Sequence, residues 1–262
     1  MSTLEPLVIH ETDARGIATL TLNRPQAFNS LSEAMLDALQ SALERVAADE
    51  TARVVVIAAS GKAFCAGHDL KEMRAEPSQG YYERLFAQCA RMMLTIQQLP
   101  QPVIARVHGI ATAAGCQLVA ACDLAVASEN AKFAVSGVNL GLFCSTPSVA
   151  LSRNMGRKQA MEMLLTGEFI DARAALERGL VNRVVPLEQL DAELKKLADS
   201  ILAKTPVAIG IGKRLFYEQL EKGLEGAYTL ANEAMACNMV TEDAKEGIDA
   251  FVGKRKPEWK GR

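Results

Sequence analysis

The segment Val54–Ala59 constrains this chain most. It reads VVVIAA, six apolar residues without a break, between Arg53 and Ser60-Gly61. A strand with one face in water alternates apolar and polar side chains, so an unbroken run of this length is a strand covered on both faces. Helices must cover it, and the neighbouring sequence supplies them. Ser30-Leu31-Ser32-Glu33 has a capping-box pattern, and behind it Leu36, Leu39, Leu43 and Val46 recur on one helical face. A second helix is predicted from about Gly80 to Gln98, stopped by Pro100 and Pro102. Val103–Val107 is a second buried strand, a small-residue helix follows from about Ala113 to Ala121, and Leu124–Ala127 returns as a strand. Strand, turn, helix and strand in repeated order define an α/β core.

The ends are simpler. Leu7–Glu11 and Ile17–Leu22 read as a hairpin around the polar turn Thr12–Gly16. Asp171 and Gly179 bracket a short helix, Val181–Val185 is the last strand, and from Leu187 onward the chain is expected to be helical. Thr205-Pro206 is a helix start, a cap followed by proline at the first position. No repeat of fixed period is present.

Composition excludes several classes. Apolar residues make up 49% and charged residues 23%, the balance of a globular chain, and a net charge of −2 gives no reason to expect nucleic acid. The Lys254-Arg255-Lys256 cluster reads by default as a solvated chain end. The six cysteines contain no C-x-x-C pair and the three histidines are far apart, so neither a disulfide framework nor a metal site is expected. The N-terminus MSTLEPLVIHETD has no basic or apolar leader pattern, which points to the cytoplasm. The longest apolar run, Gly109 to Cys122, is too short and interrupted to span a bilayer.

Some motifs lead nowhere. Gly210-Ile211-Gly212-Lys213 lacks the spacing of a phosphate loop, has Arg214 where a metal-binding hydroxyl is needed, and falls in a helical stretch. No G-x-S-x-G elbow exists. Two other loops combine small residues with a polar or helical continuation: Ala63–Leu70 and Val107–Gln117. Small side chains let a ligand approach the backbone, and the first N–H groups of a helix are free donors in a favourable field. The two loops could aim two N–H groups at one oxygen, each donor worth about 3 kcal/mol of transition-state stabilisation. The alternative is that the small residues serve only tight helix–sheet packing.

AFCAGHDLKEM (Ala63–Met73), QPVIARVHGIATAAGCQLVAACDLAVASENAKFA (Gln101–Ala134), RKQAMEMLLTGEFIDARAALERGLVNRVVP (Arg157–Pro186) and AFVGKRKPEW (Ala250–Trp259) resemble the crotonase, or enoyl-CoA hydratase/isomerase, superfamily over essentially the whole chain. The resemblance implies an α/β fold with a ββα spiral core over residues 1–200, which binds acyl-CoA. Residues 201–262 would form a helical region for trimerisation and a lid over CoA. Homotrimers or dimers of trimers would be the assembly. Coenzyme A would enter as part of the substrate, with no further cofactor and no membrane as partner; RNA binding, as in some family members, is a third alternative, against which the near-neutral composition argues. Carried over by position, the backbone N–H donors fall on His68 and Ala114. CoA contacts fall on Arg24, Ala27, Phe28, Ala66, Asp69, Leu70, Phe251 and Lys254. A basic residue at 24 or 254 suits phosphate charge. His68 is a departure, because hydratases generally have a small residue there; its ring either gates the pocket, touches the ligand or faces outward.

Two further departures shape the functional expectation. Where hydratases carry two glutamates that hold and deprotonate water, this chain carries Gln117 and Gly137. Neither can act as a base, and losing one positioned base costs about 10²- to 10⁴-fold. A Gln117→Glu, Gly137→Glu double replacement is expected to restore some hydration if the scaffold is intact. The next loop, Gly141–Gly156, replaces a glycine-rich run with Phe143-Cys144-Ser145-Thr146-Pro147. Together these features resemble one subgroup of the superfamily, that of enoyl-CoA hydratase domain-containing protein 3. The implied function is action on acyl-CoA thioesters through a backbone oxyanion hole. The alternatives are an acyl-CoA binder without catalysis, or a thioester hydrolase using Cys144 or Ser145.

Overall fold

The computed structural model describes residues 5–262. The first four, part of the N-terminal stretch from which a cytoplasmic location was read, lie outside the described residues. β1 (Val8–Thr12) and β2 (Ile17–Leu22) form the expected antiparallel hairpin, with Val8 opposite Leu22. α1 (Glu33–Ala48) is capped by Ser32, whose hydroxyl accepts the Met35 amide at 3.1 Å. The cap falls two residues after the Ser30 of the box pattern, because Ser30 still belongs to the preceding turn, where its amide donates to Ala27 O.

Three successive turns of chain then follow one plan. β3 (Val54–Ala59), β4 (Ala63–Cys65) and the helices α2 (Leu70–Ala75) and α3 (Gln79–Gln98) make the first. β5 (Val103–Val107), β6 (Ile110–Thr112) and α4 (Ala114–Ala121) make the second. β7 (Leu124–Ser128), β8 (Lys132–Ala134), α5 (Ser145–Asn154) and α6 (Arg157–Thr166) make the third. In each turn the longer strand joins a six-stranded sheet and the shorter one a second, four-stranded sheet, so the core climbs as a ββα spiral. β9 (Ile170–Asp171) closes the small sheet against β8; after α7 (Ala172–Glu177), β10 (Arg183–Val185) closes the large one against β7. The short strands β4, β6, β8 and β9 escape the sequence reading, since two or three residues are too few to show a periodicity.

β3 is covered on both faces, as its sequence requires. Val55, Ile57 and Ala59 enter the main core beneath α1, while Val54, Val56 and Ala58 enter a second cluster with Leu190, Leu197 and Ala198. Those last three belong to α8 (Leu190–Leu202). Each fully buried aliphatic side chain contributes about 1.5–3 kcal/mol.

The remaining helices are α9 (Pro206–Leu220), α10 (Leu224–Met239) and α11 (Glu242–Val252). The Gly210–Lys213 motif lies inside α9. There Lys213 is a structural cation, with Nζ 2.6 Å from Asp123 Oδ2 and donating to Ile96 O and Gln101 O. Tyr217 OH donates to the other Asp123 oxygen at 2.8 Å, so one partly buried carboxylate pins α9 to the core. The chain is not helical to its end. Residues 253–262 return along the helices because Asp243 accepts the amides of Lys260 and Gly261, and Trp259 Nε1 donates to Ala203 O. Among the described residues no helix is long and apolar enough to cross a membrane.

Candidate functional site

β4 and β6 are adjacent and parallel, with Ala63 opposite Ile110 and Cys65 opposite Ala111. Their chains therefore leave the small sheet at the same end, and the two loops singled out above meet there. A Cβ on Gly67 would stand 2.9 Å from Ala113 Cβ and 3.3 Å from Ala114 N. Ala113 itself has φ 50°, a left-handed value that costs a non-glycine residue of order 1–3 kcal/mol. That strained residue starts α4.

The first loop is stitched to residues 24–31. Leu31 N–H donates to Gly67 O at 2.8 Å, and Asp69 N–H donates back to Leu31 O, forming an isolated parallel bridge between Leu31 and His68. In such a bridge the N–H of the paired residue points away from its partner. The His68 amide is thereby left free, and so is that of Ala114, the first residue of α4; neither has a protein acceptor among the described residues. Arg24 pairs with Asp69 at 2.8 Å. Burial alone would raise the Asp69 carboxyl, but Arg24 and the amides of Glu72 and Lys71 hold it below its usual value. The Arg24 charge is thus already shared with a carboxylate.

Asn29 holds this seam together, and sequence reasoning missed it. Fully buried at φ 54°, it accepts the Arg24 amide and donates to Ser60 O and Ala63 O. Its signal was Asn before Ser in a turn, a common enough pair to pass unnoticed.

Beyond the seam opens a cavity of about 790 Å³. Ala66, His68, Leu70, Ala114, Gly137, Cys144 and Ser145 all line it, so half of the candidate positions converge on one space, while Arg24, Asp69 and Gln117 do not reach its wall. Its walls are mainly apolar, with Met73, Tyr82, Phe86, Leu142, Phe143 and Pro147 among them and Arg74 as the one charged side chain. No carboxylate is among the lining residues. Phe28 lies beside this space, its carbonyl accepting the Ala66 amide, with Ala27 in the same turn. Phe251 and Lys254 do not line it: Phe251 is 85% exposed at the end of α11, and Lys254 follows with φ 52°.

Gln117 is buried in α4 behind the lining, with Oε1 unpartnered among the described residues. Gly137 is enclosed. A Cβ there would stand 2.6 Å from Leu142 O and 2.7 Å from Cys144 Sγ, and the Gly137 amide donates to that sulfur at 3.3 Å. Leu142 N–H donates to Gly137 O, so residues 137–144 fold back over the glycine. Burial pushes the Cys144 thiol up, only partly offset by the Gly137 N–H, so it is protonated at neutral pH. Ser145 Oγ donates to Phe143 O. Among the described residues neither Cys144 nor Ser145 touches a base.

The sequence profile described as Enoyl-CoA hydratase/isomerase matches residues 12–262. The solved enoyl-CoA hydratase of Mycobacterium smegmatis superposes with a TM-score of 0.96 at 64% identity, covering 97% of this chain and 99% of that one. The fold is therefore the crotonase fold, and the chain belongs to the enoyl-CoA hydratase/isomerase family. Within that family it is similar to the enoyl-CoA hydratase domain-containing protein 3 relatives. The mitochondrial protein of that name from Mus musculus is 47% identical over 255 residues, 97% of this chain and 85% of that protein. The human structure gives a TM-score of 0.93 at 46% identity, covering 97% and 100%.

Proposed function

We propose that this protein binds an acyl-CoA thioester with the thioester oxygen between the N–H groups of His68 and Ala114, and acts on it without efficient addition of water. The observation that carries the reading is the pair of unpartnered amides, on two touching loops, beside a cavity lined by both residues. Fixed donors of this kind favour charge developing on oxygen, whether in an enolate or in a tetrahedral adduct. Gln117 and Gly137 stand at the positions of the two hydratase glutamates, and the cavity wall supplies no other carboxylate to take their place. No cofactor beyond the CoA portion of the substrate is needed. The protonated Cys144 and the base-free Ser145 weigh against a hydrolase.

Binding of a chromophoric thioester such as cinnamoyl-CoA tests the reading. Two donors on the carbonyl oxygen polarise the conjugated system and shift its absorption to the red; binding without a shift overturns the proposed grip. Turnover assays with crotonyl-CoA and longer enoyl-CoAs then separate an enzyme from a binder, and hydration near the diffusion limit would refute the role given to Gln117 and Gly137.

We also propose that residues 201–262 are the trimerisation region on a 1–200 core, in trimers or paired trimers. Large exposed apolar side chains on α9–α11, among them Phe216, Leu224, Tyr228 and Phe251, support it. Light scattering after gel filtration measures the mass directly, and a monomer would end the proposal. We propose a cytoplasmic location, whereas the Mus musculus relative is named mitochondrial. Fractionation of cells expressing the protein decides it.

A further inference from the structure

We propose that Arg74 is a specificity-determining residue that pairs with a carboxylate on the acyl chain, so that the site prefers thioesters of dicarboxylic acids. The inference rests on the acyl-CoA reading above and names a substrate class within it. Leu70, Met73 and Arg74 line the cavity together. Their spacing of three and four residues puts them on one face of α2, which begins directly after the loop that carries His68 and Asp69. Burial keeps the His68 ring neutral and the Cys144 thiol protonated, so the guanidinium of Arg74 is the one charge on the wall.

Nothing in the fold neutralises that charge. One turn back along α2 stand Leu70 and Lys71, and the helix ends before an acid one turn on, where Pro77 and Ser78 follow. Glu72, two residues back, faces away and accepts the Glu33 amide at 3.1 Å. Among the described residues no carboxylate pairs with Arg74, in contrast to Arg24, whose charge is shared with Asp69. A guanidinium presents two parallel N–H donors that match a carboxylate, and the mainly apolar wall beside it strengthens such a pair. Other polar groups on the wall select less. Tyr82 OH donates to Met73 O, and Ser136 Oγ pairs with Thr112 Oγ1 at 3.0 Å. The Thr146 hydroxyl is without a partner among the described residues, but a neutral donor serves any polar substituent and sets no preference for charge. The rise from Leu70 to Arg74 is about 6 Å, the length of a chain of a few carbons. The phosphates of CoA are separated from the thioester by the whole pantetheine arm, several times farther. With the carbonyl held at the His68 amide, the anion that meets Arg74 is therefore one at the far end of a short acyl chain.

Calorimetric titration with glutaryl-CoA and pentanoyl-CoA, equal in carbon count and differing in the terminal carboxylate, is the test. The wild type should bind glutaryl-CoA about tenfold more tightly, the value of a hydrogen bond between charged groups. That preference should shrink as salt is raised, because an ion pair open to solvent is screened. In Arg74→Met, which keeps an apolar stem and removes the charge, the preference should be lost; Arg74 is exposed, so the replacement leaves the core untouched. Equal affinities in the wild type, a preference insensitive to salt, or one that survives in Arg74→Met overturn the proposal. An equal loss for both esters in Arg74→Met, with their ratio kept, would put Arg74 on the CoA portion and overturn it as well. Pentanoyl-CoA binding without a preference for glutaryl-CoA removes this inference alone and leaves the acyl-CoA reading standing. If neither ester binds, the acyl-CoA reading fails first and this inference with it.

Discussion

The sulfur of Cys144 accepts the backbone N–H of Gly137 at 3.3 Å and lies 2.7 Å from the point where a Cβ on that glycine would stand. The space needed for a glutamate side chain at 137 is therefore occupied by the loop itself, by a backbone carbonyl as well as by the thiol. On the proposed reading of these positions, gaining hydration then takes more than adding two carboxylates. Gln117→Glu with Gly137→Glu, which the sequence alone would expect to gain some activity, should instead lose about 1–3 kcal/mol from overpacking. It should leave crotonyl-CoA unhydrated. Thermal unfolding and the absorbance of the enoyl thioester read both outcomes; a stable, hydrating double variant would show that the loop yields.

Asp123 carries the attachment of α9. It accepts from Lys213, Tyr217 and the Val103 amide, with Lys213 almost fully buried. Removing one partner of such a pair leaves an uncompensated buried charge, at about 3–5 kcal/mol. Asp123→Ala should reach that range in urea unfolding. Tyr217→Phe, which keeps the ion pair and deletes one hydrogen bond to a charged group, should cost about 1.5–3 kcal/mol. Equal effects would mean that the hydroxyl, not the ion pair, anchors the helix.

Legibility divides along physical lines. Strands β3 and β5 and the face of α1 could be read to the residue, because burial on both faces or on one stripe writes itself into the sequence as a run or a 3.6-residue period. The two loops stand out because small residues precede a helix start, a pattern that tight helix–sheet packing produces as well. What could not be read depends on through-space neighbours. The closure of Gly137 needs Leu142 to fold back; the freedom of the His68 amide needs the Leu31 bridge; the phosphate role suggested for Arg24 is altered by Asp69, 45 residues away.

Asn29 is one such neighbour, and its deletion should be felt at the cavity. Its side chain makes three hydrogen bonds while fully buried, which leaves Ser60 O, Ala63 O and the Arg24 amide unpaired in Asn29→Ala. At about 1 kcal/mol for each bond, with a further cost for the stranded groups, a loss of about 3 kcal/mol or more is expected. Because the same segment docks on Ala66 and Gly67, acyl-CoA affinity should also fall several-fold in the folded fraction. Urea unfolding and calorimetric titration test the two effects separately, and an unchanged affinity would detach the seam from the site.

His68 should also leave a mark on the pH dependence of stability. Burial holds its folded-state pKa below the ordinary 6.5, outweighing the hydrogen bond to Leu31. Above that ordinary value the ring is neutral in both states and the protein is fully stable with respect to this group. As the pH falls below it, the unfolded chain takes up a proton that the folded chain refuses, and stability declines until the folded ring protonates as well. The slope from one such group is at most about 1.4 kcal/mol per pH unit. His10 and His108 are lowered by burial in the same direction, so the comparison must be made with a variant. Urea unfolding between about pH 7 and about pH 5 should give a shallower decline for His68→Phe than for the wild type. Parallel curves would mean that the imidazole protonates as readily in the fold as outside it.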